Sequence, residues 1–397
     1  MSVNSKNYLS VEKVQTLANQ VFQSDSVEVV SFNLKPFSDQ KLGYLGVHEL
    51  LTIETRDKTD ESSKNTTFFV KSISKKEQSF DQMIFLQEST FFSELVPKLL
   101  ENCREKLQWC PKCYLATDNI LVMEDLRAQG FKMPKSILEP EQLKSAVTVL
   151  AHFHSTSMVL EKKLKKPLSD LYPGLFRIDN LYNKEGIVSD FMLAGIEVAQ
   201  AVASSLGLRS DRLKEAYEIV VDKAQPTEGQ KNVLCHCDAW FNNIMFDSSV
   251  PVNCRLIDFQ LVSYTSYALD FVKFLYFNTD RKMREKMKEE LIELYHTVIV
   301  SNLKNFGLEE SDSFSLQKLQ SDVEDKILCG MVTAVQEFPI LLMKKEFSAE
   351  YAKDEETFQN FTFGSRKEFV LKIMSLDEEY KSRIEEAVVE LVEHMQK

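Results

Sequence analysis

Residues 234–260, LCHCDAWFNNIMFDSSVPVNCRLIDFQ, constrain this chain more than any other stretch. Three apolar runs, each too short for a helix, are separated by turn residues, so they predict small strands. Asp238 follows the first run, Asn243 comes five residues later, and Asp258 twenty residues after Asp238, between Leu256-Ile257 and Phe259-Gln260. A phosphotransferase that uses a metal–nucleotide needs one carboxylate to accept a hydroxyl proton. It also needs an amide and a second carboxylate to hold Mg²⁺ against the phosphates. Asp238 is therefore the candidate base. Asn243 and Asp258 are candidate metal ligands, because a hard cation takes neutral and charged oxygens. Alone, each is more often a turn or surface residue; the joint spacing carries the reading. His236 is expected to pack and to hydrogen-bond the loop carrying Asp238, with general base as its alternative role.

The remaining parts of such an enzyme can be sought upstream. Residues 28–35 and 44–54 are rich in β-branched and apolar residues, 56–67 reads as a polar loop with a hairpin tip, and 68–74 as another strand. Lys71 lies inside the apolar run FFVKSI, where a lysine is costly to bury unless paired. The useful pairing is with nucleotide phosphates and a helix acid; the alternative is an outward-pointing lysine on a half-exposed strand. Residues 78–96 carry Phe80, Met83, Ile84, Phe91 and Leu95 at helical spacing, bounded by Pro97. Glu88 is the better partner for Lys71 because it is mid-helix, and Glu94 is the competitor. Gly43 and Gly46 could let a strand turn approach the phosphates, or could mark an ordinary hairpin. Residues 113–126 read as two strands, ending in an edge where backbone groups of Glu124, Asp125 and Leu126 would receive a nucleotide base. Residues 1–125 thus form a small sheet-plus-helix lobe, and 126–397 a second lobe. That second lobe has helices at 141–160 and 188–223 and an almost wholly helical pattern from 266 onward.

Composition narrows the partners. The net charge of −12 argues against a nucleic-acid binder, which needs a basic stripe, and against acidic membrane surfaces. No run approaches the ~18–20 apolar residues of a membrane span, and the seven cysteines read as reduced thiols of a cytoplasmic protein. The single C-x-x-C at 110–113 lacks the second pair that a zinc site wants. Cys235 and Cys237 are expected to point to opposite faces of a strand. His152 and His154 read as core or edge residues. Of the 27 phenylalanines, Phe338, Phe347, Phe358, Phe361, Phe363 and Phe369 could line an apolar pocket or fill a core, and 322–343 is a candidate pocket wall.

HCDAWFNN followed by LIDFQ resembles the ecdysteroid kinase-like proteins of arthropods, whose pattern is H-G-D-x-W-x-x-N and D-F-Q. These group with choline kinases and aminoglycoside phosphotransferases in the protein-kinase-like superfamily. The likeness includes Trp240 and Gln260 and extends to FFVK (68–71), to Phe85, Glu88 and Pro97, to LVMEDL and AHFHSTS, and to ALDFVKFLYFNTDR (268–281). It implies an α+β fold of bilobal protein-kinase type, with a small antiparallel-sheet N-lobe and a mostly helical C-lobe. It also implies ATP and Mg²⁺ as cofactors, with Lys71 and Glu88 positioning phosphates, Asp238 as base, Asn243 and Asp258 on the metal, and Asp270 bracing the catalytic loop. The implied activity is phosphorylation of a small-molecule alcohol, an ecdysteroid hydroxyl in the best-known members. Alternatives are a detoxifying kinase for another hydroxylated lipophile or a choline-like amine, and a pseudokinase scaffold. One residue departs from the pattern: Cys237 stands where the family has glycine, a position at which glycine can adopt a backbone conformation that cysteine would strain.

Overall fold

The computed structural model describes residues 9–37, 46–59, 61–73, 79–102, 109–227, 230–308, 314–351 and 353–397. The chain divides into two compact units: Met1–Met133 with Ile244–Leu261, and Pro134–Asn243 with Val262–Lys397. The division expected after residue 125 is thus displaced. Backbone pairing explains why. Lys132 and Phe246 exchange two N–H···O bonds of 2.8 and 2.9 Å, and Leu256 N donates to Trp109 O at 2.9 Å. The segment 244–261, placed by sequence in the second lobe, is thereby tied to the first unit.

Unit 1 is a five-stranded antiparallel sheet. Its strands are β1 (Val27–Pro36), β2 (Val47–Asp57), β3 (Ser63–Ser72), β4 (Cys113–Ala116) and β5 (Ile120–Glu124), in the order β1-β2-β3-β5-β4. Residues 56–67, expected to be a loop, are mostly strand: β2 runs to Asp57 and β3 starts at Ser63, and the polar side chains sit on a paired ribbon. Alternation along β2 and β3 sends Leu51, Ile53, Phe68 and Val70 to one face. Helix α1 (Val11–Phe22), capped by Ser10 and unanticipated from sequence, lays Val14 and Leu17 against them. The same alternation turns Lys71 to the opposite face.

Helix α2 (Ser79–Thr90) runs into a π-helical turn, Phe91–Leu95, and then α3 (Val96–Asn102). Pro97 therefore does not end the helix. It lies in the first turn of α3, where a missing N–H costs little. The short hairpin Ile244–Phe246/Cys254–Leu256 leads to Asp258 and a 3₁₀ turn at Phe259–Leu261. Phe259 is fully buried, stacked on Phe91 at 4.7 Å and edge-on to Phe92 at 5.7 Å.

Among the described residues, unit 2 is helical around one small strand pair, Asn232–Cys235 with Ser263–Ser266. Its helices begin with α4 (Pro140–Leu164), α5 (Leu168–Leu171), α6 (Ile187–Ser205) and α7 (Leu213–Ala224). They continue with α8 (Tyr267–Asn278), α9 (Arg281–Asn305), α10 (Leu316–Leu341), α11 (Lys345–Tyr351), α12 (Glu355–Phe363), α13 (Lys367–Met374) and α14 (Glu378–Met395). Helix α8 is buried along its whole length. Glycines let its neighbours cross closely: a Cβ on Gly330 of α10 would lie 2.4 Å from the Tyr276 ring, and one on Gly195 of α6 would lie 2.6 Å from the Gln336 backbone. Phe358, Phe361 and Phe369 pack with Tyr351 as an aromatic cluster. Helix α6 is long and apolar enough to cross a membrane, and half of that window is buried inside the protein.

Candidate active site

In unit 1 the strand alternation that hides Val70 presents Lys71 to α2. Its ammonium, 4% exposed as a residue, donates to Glu88 Oε2 at 2.7 Å, Asp258 Oδ1 at 2.7 Å and Gln260 Oε1 at 3.0 Å. Three donors meet three acceptors, which is full satisfaction for a lysine. Burial alone would push the amine toward neutrality, but the charges of Asp258 and Glu88 outweigh it and hold its pKa above the usual value. Burial raises Glu88, offset in part by Lys71. Glu88 uses its other oxygen to accept from Phe259 N at 3.0 Å, so one carboxylate fixes both Lys71 and the turn carrying Asp258. Glu94 lies in the π turn, half exposed and 3.9 Å from Lys98.

Asp258 has φ +64°, a left-handed conformation that aspartate tolerates better than most residues. Its side chain remains 30% exposed, which leaves carboxylate oxygen open to a cation. Gly46 has φ +78°, and a Cβ there would lie 3.0 Å from Ser72 O and 3.7 Å from Lys71 Cγ. The glycine thus lets β2 approach the strand carrying Lys71. Gly43 lies outside the described residues. At the end of β5, Asp125 caps the following 3₁₀ turn and accepts from Thr67 Oγ1 at 3.0 Å. Glu124 accepts from Lys112 N and Gln129 Nε2. Leu126 O is taken by Phe131 N, so that carbonyl is not open to a base.

In unit 2 the loop that follows Cys235 hangs from Asp270 on α8. Asp270 Oδ2 accepts from His236 N at 2.7 Å and Oδ1 from Cys237 N at 2.8 Å. His154 of α4 adds a third bond, Nε2 to Oδ2 at 3.0 Å, while Tyr295 O–H faces its Nδ1 at 2.6 Å. A carboxylate can only accept, so Nε2 carries a hydrogen. Burial raises the Asp270 pKa, but the His154 bond, the neighbouring histidines and the His236 amide outweigh it, so the carboxyl stays ionised.

His236 Nδ1 faces Asp238 N at 3.3 Å. Asn243 Nδ2 donates to Asp238 O at 3.0 Å and Oδ2 at 2.7 Å. That contact fixes the amide orientation, since the carboxylate needs a donor. Asn243 Oδ1 is left without a hydrogen bond among the described residues, as a hard-cation ligand requires.

Cys237 is not on the strand, which ends at Cys235. It sits in the turn with φ +63°, the left-handed region where glycine is strain-free. Its amide keeps the bond to Asp270, and burial drives its thiol well above the usual range, so it is no nucleophile. His154, Cys235 and Asp270 place ligand atoms within 4.8 Å of one another. Burial holds the Cys235 thiol protonated and the histidine is committed at both nitrogens, so internal hydrogen bonds account for the cluster. The described cysteines are free thiols, and burial pushes Cys113 up to about 12.

Two contributors escaped the sequence reading. Gln260 lies in the 3₁₀ turn just after Asp258 and accepts from Lys71; the sequence reading used it only as part of the D-F-Q motif. His154 falls on the apolar stripe Leu143, Val147, Leu150 of α4, and a histidine on a core face demands partners.

A Caenorhabditis elegans protein described as an uncharacterized oxidoreductase, dhs-27, is 24% identical over 211 residues, half of this chain. The chain spans about a quarter of the length of this curated relative. Among solved structures, an ethanolamine kinase of Plasmodium vivax matches 96% of this chain and 91% of its own at 13% identity and a TM-score of 0.46. A choline kinase from Cryptosporidium parvum matches 96% and 98% at 12% identity and a TM-score of 0.40. Residues 43–308 match the model of the ecdysteroid kinase-like family. With two thirds of its length inside that match, the chain belongs to the ecdysteroid kinase-like family.

Proposed function

We propose that this protein is an ATP- and Mg²⁺-dependent kinase that phosphorylates a hydroxyl of a small molecule, an ecdysteroid being the acceptor. The observation that carries the reading is Lys71, a buried lysine on a strand held by a helix acid, Glu88, and by Asp258. Bound nucleotide would supply the γ-phosphoryl group, and its metal would neutralise phosphate oxygens. The donor set suits that group. Asn243 Oδ1 and the Asp258 carboxylate are hard oxygen ligands, and Lys71 is a cation pre-positioned for phosphate.

The chain's own residues then divide the work. Lys71 exchanges a carboxylate contact for phosphate oxygen while Glu88 keeps its orientation. Asp238 would accept the proton of the acceptor hydroxyl as that oxygen bonds to the γ-phosphorus and the bond to the bridging oxygen breaks, with ADP as the leaving group. Asn243 holds the Asp238 side chain in place, and Asp270 fixes the loop through two backbone amides. Because both amides are still bonded with cysteine at 237, the active-enzyme reading is favoured over a pseudokinase scaffold.

The test has two stages. ATP with Mg²⁺ should raise the melting temperature, and absence of any shift removes the nucleotide reading. Labelled ATP should then transfer phosphate to an ecdysteroid in a panel containing other hydroxylated lipophiles and choline, with the product identified by mass.

A further inference from the structure

The backbone on both sides of Asp238 is held by one helix. Before Asp238, the amides of His236 and Cys237 donate to Asp270 at 2.7 and 2.8 Å. After it, the carbonyl of Ala239 accepts from Asn278 Nδ2 at 2.7 Å. Asp270 and Asn278 both belong to α8 and stand about two turns apart. The same Nδ2 donates to Phe274 O at 2.8 Å, one turn back in α8, so the helix itself steers the side chain. Both partners are carbonyl oxygens, which only accept, so the amide nitrogen must face them. Leu138 N fixes the backbone of the same residue by donating to Asn278 O at 3.0 Å. Asn278 is fully buried, and its Oδ1 meets no hydrogen-bond partner among the described residues. A buried acceptor without a donor lowers stability. The bond to Ala239 is what explains a polar residue at this place in the core.

We propose that Asn278 is a positioning residue for phosphate transfer. It holds the Ala239–Trp240 peptide, and through that peptide it keeps Asp238 aimed at the acceptor hydroxyl. The Ala239 carbonyl and the Trp240 N–H share one rigid plane. Asn278 fixes the carbonyl end of that plane, and the N–H at its other end donates to Asp238 O at 3.0 Å. The carbonyl of Asp238 takes a second bond from Asn243 Nδ2, which also reaches the Asp238 carboxylate. Asp270 fixes only the backbone that enters Asp238, whereas Asn278 fixes the backbone that leaves it. Release of the Ala239 carbonyl would let that peptide rotate and carry Asp238 with it. A shift of about 1 Å in a reacting group can cost about a hundredfold in rate. This inference rests on the reading of Asp238 as the base.

The test uses the full chain with labelled ATP–Mg²⁺ and two phosphate acceptors, 20-hydroxyecdysone and water. Asn278→Ala loses both side-chain bonds, so Asn278→Ser is the sharper variant. A serine has one hydrogen to give, and in a helix it goes to the carbonyl four residues back, as Thr279 Oγ1 does to Leu275 O. Asn278→Ser should therefore keep the bond to Phe274 O, fold, and lose only the bond to Ala239 O. Its kcat should fall about ten- to a hundredfold, while KM for ATP stays within about twofold of wild type and the ATP–Mg²⁺ thermal shift is preserved. The same substitution is then made on Asp238→Asn. There it should change the residual rate by less than about twofold, because the base that it positions is already gone. A role in the fold alone would lower the rate equally in both backgrounds. Unchanged kcat in Asn278→Ser, an equal loss in both backgrounds, or a variant that does not fold overturns the inference alone. A wild type that transfers phosphate to neither acceptor, or shows no ATP–Mg²⁺ shift, overturns the kinase reading instead.

Discussion

The two units each bury a carboxylate cluster, and the clusters are built on opposite principles. Around Lys71, one ammonium is shared by Glu88, Asp258 and Gln260, and Asp258 keeps part of its side chain in contact with solvent. Around Asp270, every contact is short, dry and internal: two backbone amides and a histidine that is itself held by Tyr295. The first arrangement can trade partners, because a phosphate can replace a carboxylate on a lysine at little cost. The second cannot, since each bond it gives up leaves a buried charge or amide without an alternative. The difference separates the groups proposed to meet ligand from the group that holds a loop still.

Substitutions at four positions would break or sharpen that contrast. Asp238→Asn should lower the phosphate-transfer rate roughly a hundred- to ten-thousand-fold, the range of a general base, while the ATP–Mg²⁺ thermal shift survives. Full turnover in that variant would remove the base assignment. Asp270→Ala should destabilise the fold by about 3–5 kcal/mol, the loss expected for breaking a buried, fully bonded charge, read by chemical denaturation. A loss under about 1 kcal/mol would show that the cluster is not closed. Asp258→Ala should act on nucleotide instead. The affinity gained on adding Mg²⁺ should fall about tenfold or more, as when a charged contact is removed, and an unchanged magnesium response would count against its role. The smallest effect is at 237. Cys237→Gly and Cys237→Ala both lose the buried thiol, but only glycine is relaxed at φ +63°. The glycine variant should therefore be more stable than the alanine variant by about 1 kcal/mol. Equal stability would mean the turn carries no strain.

Much of the site was legible because its chemistry is local. Asp238, Asn243 and Asp258 lie within one short segment, and the pairing of Lys71 with Glu88 follows from a lysine in an apolar strand and an acid in the middle of the next helix. The rule that singled out Lys71 applies equally to Lys273 in ALDFVKFLYFN. It found no partner there, because the Tyr182 ring over which the ammonium lies is far back in the chain. Helix α1 was missed although Val14, Leu17, Ala18 and Val21 follow its Ser10 cap at helical spacing; the sheet face that it covers reveals its role. The expected loop at 56–67 became strand because cross-strand pairing with a long partner overrides the weak β-propensity of Asp, Lys and Asn.

By itself the sequence determined the α+β class, the antiparallel character of the first unit, the helical character of the second and the identity of the polar residues set at strand ends. Periodicity and burial cost act over a few residues and can be read from a string. Tertiary structure alone decided which unit receives 244–261, that Gln260 completes Lys71 and that His154 completes Asp270. Each of those depends on residues brought together by packing, where the free energy of a buried polar group is set by partners distant in sequence.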